Sequence, residues 1–318
     1  MLRLHKHTAP QSCAELLEQF ERQSSAGVQP GVRIQFVGVG PRDVYNISAP
    51  FLDKGEPVIA GRVESRETEL SQVVFFHQCG DSWVPHPSYA PYELQDPFFT
   101  RIKGELIFGG VKLVMDPADP DKIISWVTEF YRGQDIASLA LFLTGPSHMK
   151  DVRLIELASG EIGVLTRPQG EKGGRGKIGF FKCASLEEIS AKRIEDAPVF
   201  QDQFLELEWG GANEPHLLSN GLVGVLGHIA SFEGEDRHYQ AMTFAIHPDT
   251  FEKTPMKIIA RRSSFPKGAA KRPDLTDVIF SGGIVRKTNG LADLYVGASD
   301  AEAYRIEIGD PFLEYEQV

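Results

Sequence analysis

One short phrase occurs five times in this sequence, and the repetition constrains the fold more than any other feature. Each copy consists of an apolar run, a turn that contains glycine, and a second apolar run. The copies are APFLDKGEPVIAGRVE at 49–64, DPFFTRIKGELIFGGVK at 96–112, DVRLIELASGEIGVLTRP at 151–168, EPHLLSNGLVGVLGH at 214–228 and GGIVRKTNGLADLYVGASD at 282–300. Their turn glycines lie about 50 to 70 residues apart. Repetition at such an interval indicates a propeller or another repeat array.

Each copy is interpreted as one hairpin in a blade of a five-bladed β-propeller. Blades of about three to four strands need a few tens of residues each, which agrees with the spacing. Ser12 and Glu15 form a capping box for a short N-terminal helix. We therefore predict an N-terminal helical segment at 1–30 and one all-β propeller domain at 31–318, whose last blade is closed by an N-terminal strand. A pair of β-sandwiches is the structural alternative.

Composition limits the partners and the compartment. The formal net charge of −11 argues against nonspecific binding to nucleic acid or to an anionic membrane. No apolar stretch approaches the ~20 residues that cross a bilayer. Cys13, Cys79 and Cys183 are widely separated, which indicates free thiols in a reducing compartment. We therefore expect a cytoplasmic protein. The histidines do not have the spacing of metal ligands, so no catalytic metal is predicted.

The hairpins bring charged residues to one rim. If each first strand leaves one face and each second strand returns to it, the residues at these ends converge around the central channel. These positions carry Arg62, Glu64, Arg66, Asp96, Lys112, Asp151, Arg167, Glu214, His228 and Asp300. A single Asp-Pro or Glu-Pro is typical of a turn. Several charges at equivalent positions indicate a site, because buried charge is costly unless it is paired.

The ordered series of motifs resembles the inverting β-mannoside phosphorylases, which are five-bladed propellers. The matching segments are RVESR at 62–66, QDPFFTRI with KGEL at 95–106, MKDVRLIEL and VLTRP within 149–168, GGANEPHLL and GHIA within 210–230, and DVIFSGG and LYVGASDA within 277–301. The segment GVGPRDVYNISAPF at 38–51 is similar to one branch of that group. The members of this branch are the mannosyltransferase/phosphorylases of β-1,2-linked mannan oligosaccharides.

This resemblance implies two activities. One is transfer of mannose from a sugar nucleotide such as GDP-mannose, and the other is reversible phosphorolysis that gives mannose 1-phosphate. Asp96 matches the general acid of the family's Glu-Asp-Pro-Arg motif, although Gln95 and Phe98 replace the flanking Glu and Arg. The implied partners are a manno-oligosaccharide with GDP-mannose, mannose 1-phosphate or phosphate. No cofactor is expected, since inorganic phosphate or the sugar nucleotide is a co-substrate.

The other site residues fall into two groups by resemblance. The phosphate-binding candidates are Lys150, Arg167 and His228, and the substrate-binding candidates are Asn46, Arg62, Glu64, Asp151, Glu214, Tyr295 and Asp300. Arg62 is also positioned to contact phosphate. Two departures from the family pattern are the order Gly227-His228 and Val296, which replaces the second Tyr of a Tyr-Tyr-Gly-Ala-Ala-Asp motif.

The permitted mechanism needs one acid. An inverting glycosidase uses a second carboxylate to activate water, whereas in a phosphorylase phosphate itself is the nucleophile. Our hypothesis is that Asp96 protonates the glycosidic oxygen, directly or through a substrate hydroxyl, and deprotonates the acceptor hydroxyl in synthesis. The alternatives are a β-glycoside hydrolase, in which Glu214 and Asp96 flank a water, and a non-catalytic carbohydrate- or protein-binding propeller.

Two cationic loops could hold a nucleotide diphosphate. They are EKGGRGKIG at 171–179 and RRSSFPKGAAKR at 261–272. Backbone N–H groups of Gly-rich loops can cradle phosphates, but the first loop lacks the Walker and Rossmann spacings. A solvated loop is the simpler interpretation of both. Sugar platforms or core packing explain the aromatic residues beside the rim motifs, which are Tyr45, Trp83, Tyr92, Phe98 and Trp209.

Overall fold

The predicted N-terminal helix is present, and its cap is the predicted one. The computed structural model describes residues 2–23 and 29–318, and helix α1 spans Cys13–Gln23. The backbone N–H of Ser12 donates to Glu15 Oε2 at 2.8 Å, and the backbone N–H of Glu15 donates to Ser12 Oγ at 3.1 Å. Residues 24–28, which precede the predicted domain boundary, lie outside the described residues. The capping box is therefore confirmed.

Most of the remaining chain forms strands. Strand β1 is Val32–Arg33. The first group contains β2 (Gln35–Phe36), β3 (Asp43–Tyr45), β4 (Phe51–Asp53), β5 (Glu56–Glu64), β6 (Ser71–Cys79) and β7 (Ser82–Pro85). The second group contains β8 (Gln95–Ile102), β9 (Glu105–Asp116), β10 (Asp119–Gly133) and β11 (Ala140–Thr144). The third group contains β12 (Arg153–Glu156), β13 (Ile162–Thr166) and β14 (Gly179–Cys183).

Two further groups complete the chain. The fourth contains β15 (Trp209–Leu217), β16 (Val223–Glu233), β17 (Asp236–Ile246) and β18 (Lys257–Ala260). The fifth contains β19 (Asp277–Arg286), β20 (Leu291–Ala298) and β21 (Glu302–Gly309). A short parallel pairing of β17 with β19 joins the fourth and fifth groups, together with β1, in one eight-stranded sheet. Short helices α2 (Gly170–Gly173) and α3 (Ala191–Asp196) lie in connections, as do the 3₁₀ turns Ile136–Ser138, Leu186–Glu188, Arg262–Ser264, Pro273–Leu275 and Tyr315–Gln317. The prediction of an all-β chain with a short N-terminal helix is confirmed.

Every repeated phrase forms an antiparallel hairpin. The paired strands are β4–β5, β8–β9, β12–β13, β15–β16 and β19–β20. The turn glycines Gly55, Gly104, Gly160, Gly221 and Gly290 have φ between +79° and +84°. This left-handed region disfavours any residue that carries a Cβ, which explains why each turn contains glycine. The phrase in the sequence is thus a hairpin with a glycine-specified turn.

The hydrophobic core lies between the strand groups. Within the described residues, clusters of buried side chains join the first group to the second, the second to the third, the third to the fourth and the fourth to the fifth. A further cluster joins the fifth group back to the first through Tyr295, Ala303 and Ile59. Strand β1 also pairs antiparallel with β21, with Val32 opposite Arg305. Each group therefore packs on the next, and the last packs on the first.

Two other observations bear on the sequence predictions. All three cysteines are free thiols, as expected. In the part of the chain that the structure describes, no helix combines the length and the apolar character that crossing a membrane requires.

A glycine substitution tests the turn argument. Gly104→Ala should lower the free energy of unfolding by about 1–2 kcal/mol, because alanine must adopt the left-handed conformation. Gly309→Ala is the matched control, since an added Cβ meets nothing within 4 Å at either position and Gly309 lacks a positive φ. Urea unfolding measures both variants. Equal stability of the two variants would contradict the argument.

Candidate functional site

Several polar residues at the predicted rim have an unusual backbone conformation, with a positive φ angle. Asn46, Asp96, Asp151 and Asp300 have φ values of 43°, 49°, 60° and 50°. Asn and Asp enter this left-handed region more readily than other non-glycine residues, and such strain is concentrated at functional sites. The pairing of β8 with β9 also shifts register between Gln95 and Phe98. Because a bulge redirects side chains, this irregularity helps to aim Asp96 away from the regular strand face.

Asp96 is a buried carboxylate with cationic neighbours. Its Oδ1 accepts hydrogen bonds from Asn46 Nδ2 at 2.8 Å and from Arg62 Nη1 at 3.1 Å. Lys150 Nζ lies 4.0 Å from Oδ2. Burial alone would raise the pKa of Asp96, but the charges of Arg62 and Lys150 and the bond from Asn46 hold that pKa at about 2. The side chain is therefore ionised at neutral pH.

A chain of alternating charges continues from Asp96 into the protein. Arg62 Nε and Nη2 donate to Glu64 Oε2 at 3.0 and 2.6 Å. The hydroxyl of Tyr45 donates to Glu64 Oε1 at 2.9 Å, and Lys271 Nζ donates to the same oxygen. Burial opposes ionisation of Arg62, but its anionic neighbours keep the pKa of Arg62 above its usual range. Asp96 is thus held by a guanidinium that is itself fixed by Glu64.

Lys271 corrects the interpretation of loop 261–272. Only 4% of its side chain is exposed, and Nζ also donates to the Thr68 backbone oxygen at 2.8 Å. Nζ lies 3.0 Å from Glu69 Oε1 as well. The prediction of a solvated loop is therefore wrong for this residue. Through Lys271 this loop contacts the first strand group, where the lysine neutralises the buried Glu64.

A second charged cluster surrounds Asp151. Arg167 Nη1 lies 3.4 Å from its Oδ2, and Arg153 Nη2 lies 3.8 Å from its Oδ1. The carboxylate is buried, yet neither oxygen accepts a hydrogen bond from the described residues. Burial would raise the pKa of Asp151, but the neighbouring positive charges, of which Arg167 and Lys150 act most strongly, together outweigh burial and lower that pKa. An ionised carboxylate without hydrogen bonds is suited to accept hydrogen bonds from the hydroxyl groups of a ligand.

The two arginines of this cluster are held by backbone oxygens. Arg167 Nε donates to the Gly210 carbonyl at 2.7 Å, and Arg153 Nε donates to the Asn213 carbonyl at 2.7 Å. Arg167 Nη1 makes no hydrogen bond within the described ranges. Both guanidiniums are therefore oriented by the fourth strand group, and Arg167 keeps a donor for a ligand.

His228 lies beside this cluster in its neutral form. Its Nδ1 is 2.9 Å from Asn213 Oδ1, so it donates to this amide oxygen. Burial lowers the pKa of His228 to about 3, with Asp151 opposing the shift and Arg167 adding to it. Because Nδ1 carries the only proton of the neutral ring, Nε2 is an acceptor, so as a predicted phosphate ligand His228 can only accept a hydrogen bond from a P–OH group and supplies no charge.

The two clusters lie side by side. Lys150 lowers the pKa of both Asp96 and Asp151, and Arg153 experiences the charges of Asp151, Asp96 and Glu214. Asp300 belongs to the same region, since burial raises its pKa, Arg62 opposes the rise and Asp96 reinforces it. The charge of Arg62 therefore acts on two carboxyl groups whose pKa values are shifted in opposite directions.

Two predicted residues have other surroundings. Glu214 Oε2 lies 2.7 Å from His216 Nε2 and accepts from the backbone N–H of Ile284 at 2.7 Å. Tyr295 is not brought to Asp96, because it lines a separate cavity of about 500 Å³ with Trp83 and Arg305. It therefore does not join the two charged clusters.

Sequence reasoning missed several members of the site. Motif position alone assigns no role to Arg153, which lies within the segment at 149–168, or to Asn213, which directly precedes Glu214 in another motif. The aromatic residues were better anticipated, because Tyr45, Phe98 and Trp209 are buried. A guanidinium lies over each of these rings, with ring-centroid distances of 4.9 Å from Arg62 to Tyr45, 4.1 Å from Arg153 to Phe98 and 5.7 Å from Arg175 to Trp209. Among the described residues, no three His, Cys, Asp or Glu side chains are grouped as metal ligands.

Comparisons with known proteins cover almost the whole chain. A family model described as "Protein of unknown function (DUF1861)" matches residues 19–314. MPT-4, a mannose phosphorylase from Leishmania mexicana solved in complex with phosphate ion, is 36% identical with a TM-score of 0.86, and the match covers 94% of this chain and 93% of that chain. MPT-1, a GDP-Man-dependent mannosyltransferase from the same organism, is 34% identical with a TM-score of 0.85, with coverages of 95% and 96%.

A more distant match concerns the fold alone. A β-1,2-mannobiose phosphorylase from Listeria innocua is 12% identical with a TM-score of 0.60, and the match covers 93% of this chain and 95% of that chain. A search of the curated proteins finds no match.

The buried lysine gives one prediction. Lys271→Met should lower the free energy of unfolding by roughly 3 kcal/mol, because removing one partner of a buried ion pair leaves charge uncompensated. Lys267→Met, an exposed substitution in the same loop, is the control and should have little effect. Chemical denaturation measures both. If the two variants were equally stable, Lys271 would not neutralise Glu64.

His228 gives a pH-dependent prediction. Its folded-state pKa of about 3 lies below the ordinary 6.5. Below pH 6.5 the unfolded state binds a proton that the folded state excludes. The free energy of unfolding is therefore unaffected by His228 above pH 6.5 and decreases by ~1.4 kcal/mol per pH unit as the pH falls towards 3. His228→Gln should remove this slope between pH 6 and 5, whereas His7→Gln, with a 72% exposed side chain, should not. Parallel stability curves for wild type and His228→Gln would contradict the burial of a neutral imidazole.

Proposed function

The chain belongs to the DUF1861 family and to the family of the two Leishmania enzymes, and we propose that it transfers mannosyl groups to and from β-1,2-linked manno-oligosaccharides. The donor is GDP-mannose or mannose 1-phosphate, and phosphate is the nucleophile of the reverse reaction. The observation that carries this proposal is the pairing of one buried carboxylate, Asp96, with an adjacent set of cations. A placed acid beside an anion-binding site is what phosphorolysis requires.

The proposed architecture is a five-bladed propeller. Its support is that each strand group packs on the next and the fifth packs on the first, with β1 paired to β21. Residues 31–318 would form this catalytic domain. The separate N-terminal segment would be represented by helix α1, whose Leu16 packs into the core between the third and fourth groups. The free thiols support a reducing compartment such as the cytoplasm.

Mannose binding is proposed for the residues with unfilled hydrogen-bonding capacity. Asp151 offers two buried carboxylate oxygens without hydrogen bonds from the described chain. Asn46 Oδ1 is likewise buried and unpaired, beside the Asp96 carboxylate that Asn46 Nδ2 contacts. Sugar hydroxyls can donate to these acceptors. Asp300 would contact the same ring, because Asp300 and Asp96 share Arg62 as an electrostatic neighbour.

Phosphate binding is proposed for Lys150, Arg167 and His228, with Arg62 nearby. Arg167 supplies a guanidinium with an unused donor, and Lys150, whose side chain is 38% exposed, supplies an ammonium group. An anion at these cations would also act on Asp96. Because Lys150 helps to keep the pKa of Asp96 low, neutralising its charge raises that pKa. Phosphate binding would thus favour the protonated acid that phosphorolysis needs.

The proposed reaction inverts the anomeric carbon. A phosphate oxygen attacks this carbon from the face opposite the glycosidic oxygen, the glycosidic bond breaks, and the proton of Asp96 moves to the leaving oxygen. In synthesis the Asp96 carboxylate takes the proton of the acceptor hydroxyl while that oxygen attacks the anomeric carbon. Phosphate or the nucleoside diphosphate then leaves with the electron pair of the broken bond. General acid–base assistance of this kind is worth roughly 10²–10⁴-fold in rate.

Hydrolysis is the second candidate function and is less well supported. It requires Glu214 to activate a water opposite Asp96. The Oε2 atom of Glu214 is already engaged by His216 and by the Ile284 backbone. One oxygen of Glu214 is therefore engaged, and the cations Arg62 and Lys150 lie within 4 Å of the Asp96 carboxylate.

Substitution of the two carboxyl groups tests the mechanism. Asp96→Asn should lower kcat for phosphorolysis by roughly 10²–10⁴-fold, because it removes the proton donor. Asp300→Asn keeps the general acid, so it should act mainly through the KM for the oligosaccharide. Release of mannose 1-phosphate measures both variants, and circular dichroism checks that both remain folded. Near-normal turnover by Asp96→Asn would contradict its assignment.

The same assay separates the two candidate functions. Incubation of a β-1,2-manno-oligosaccharide with and without phosphate should give mannose 1-phosphate only when phosphate is present. Release of free mannose at the same rate in both reactions would favour the hydrolase.

A further inference from the structure

An exposed arginine lies over aromatic rings at the edge of the proposed phosphate site. The guanidinium carbon of Arg175 is 5.2 Å from the ring centroid of Phe232 and 5.7 Å from that of Trp209. Phe232 is 39% exposed, whereas Trp209 is only 5% exposed and packs against it with a centroid separation of 4.9 Å. Arg237 also approaches the Phe232 ring, at 5.9 Å. We call Arg175, Trp209, Phe232, Arg237 and Tyr239 the Arg175 platform.

The platform is continuous with the phosphate site at two points. Arg167 Nη2 donates to the Arg175 backbone oxygen at 3.5 Å. The next residue, Gly176, has φ of +145° and lies so close to Arg167 that an added Cβ would be 2.7 Å from its Nε. Glycine therefore allows this loop to pack directly on the Arg167 guanidinium.

The second connection runs through aromatic rings. Tyr239 stacks on the imidazole of His228 with a centroid separation of 5.5 Å and an interplanar angle of 23°. The hydroxyl of Tyr239 accepts a hydrogen bond from Trp209 Nε1 at 3.1 Å. The proposed phosphate ligands His228 and Arg167 thus form the inner boundary of the platform.

Charge distinguishes the two arginines of the platform. Arg237 lies 3.7 Å from Asp274, whereas Arg175 makes no ion pair with any described residue. In a chain with a net charge of −11, an exposed unpaired guanidinium beside a second cationic site is suited to a ligand with two negative groups. Planar stacking on a guanidinium and on Phe232 also suits a nucleobase.

We propose that the Arg175 platform binds the distal part of a nucleoside diphosphate sugar, with Arg175 at the second phosphate and the base stacked over Arg175 and Phe232. This subsite rests on the proposed function, in which Lys150 and Arg167 bind the phosphate next to the sugar. Inorganic phosphate and mannose 1-phosphate carry neither a second phosphate nor a base. The platform therefore discriminates between the two kinds of donor.

Equilibrium binding of GDP and of inorganic phosphate tests the subsite. By isothermal titration calorimetry, Arg175→Ala should raise the Kd for GDP by about tenfold, the loss expected for one stacking or charge contact. The Kd for inorganic phosphate should change far less. Phe232→Ala should weaken GDP binding in the same selective way. Arg193→Ala is the matched control, because Arg193 also lies over an aromatic ring, 5.2 Å from Phe181.

Three results would overturn the subsite. They are GDP binding no tighter than phosphate in the wild type, equal weakening of both ligands by Arg175→Ala, and an equal effect of Arg193→Ala on GDP. Thermal melts of each variant identify unfolding as a cause, and Phe232→Ala then decides the outcome. A wild type that binds GDP through Arg175 but neither extends nor phosphorolyses a mannoside would support the subsite and refute the proposed function.

Discussion

The buried ion pairs that Arg62 makes with Asp96 and Glu64 are the interaction on which the rest of the site depends. They join β5 to β8, and Lys271 extends them to the loop before β19. Removing these charges from water is expensive, and only alternating signs with good hydrogen bonds offset that cost. The arrangement therefore exists only when the first, second and fifth strand groups are assembled.

This requirement links the fold to the chemistry. Several strand groups contribute charged residues, so the hairpins act as supports that present their ends to a shared centre. The left-handed backbone at Asn46, Asp96, Asp151 and Asp300 directs those ends. Strain of this kind is retained when surrounding packing fixes it, and here the cores between strand groups supply that packing.

Electrostatics also support the proposed binding of an anion at this site. Asp96 and Asp151 are ionised by their arginines, while Lys150 remains partly exposed between them. An incoming phosphate would compete with Asp96 for these cations and return a proton to it. The acid and the nucleophile of the proposed reaction are thus coupled through the same positive charges.

The sequence predicted those parts of the structure that local chemistry determines. Glycine turns between apolar runs identified the hairpins, and the rim positions identified Asp96, Arg62, Asp151 and Arg167. Lys271 was missed because its partner Glu64 is distant in the sequence and a cationic Gly-containing loop has the composition of a solvated one. Tyr295 lines a separate cavity, and motif position alone does not determine the face of a strand to which a side chain points.

The central claim is that one site serves two phosphorylated donors, and product analysis tests it most directly. The wild-type protein should extend a β-1,2-manno-oligosaccharide when GDP-mannose is supplied, with release of GDP. It should shorten the same oligosaccharide when only phosphate is supplied, with release of mannose 1-phosphate. Mass spectrometry of both reactions measures these changes. An oligosaccharide left unchanged in both reactions, or shortened to free mannose without phosphate, would contradict the account.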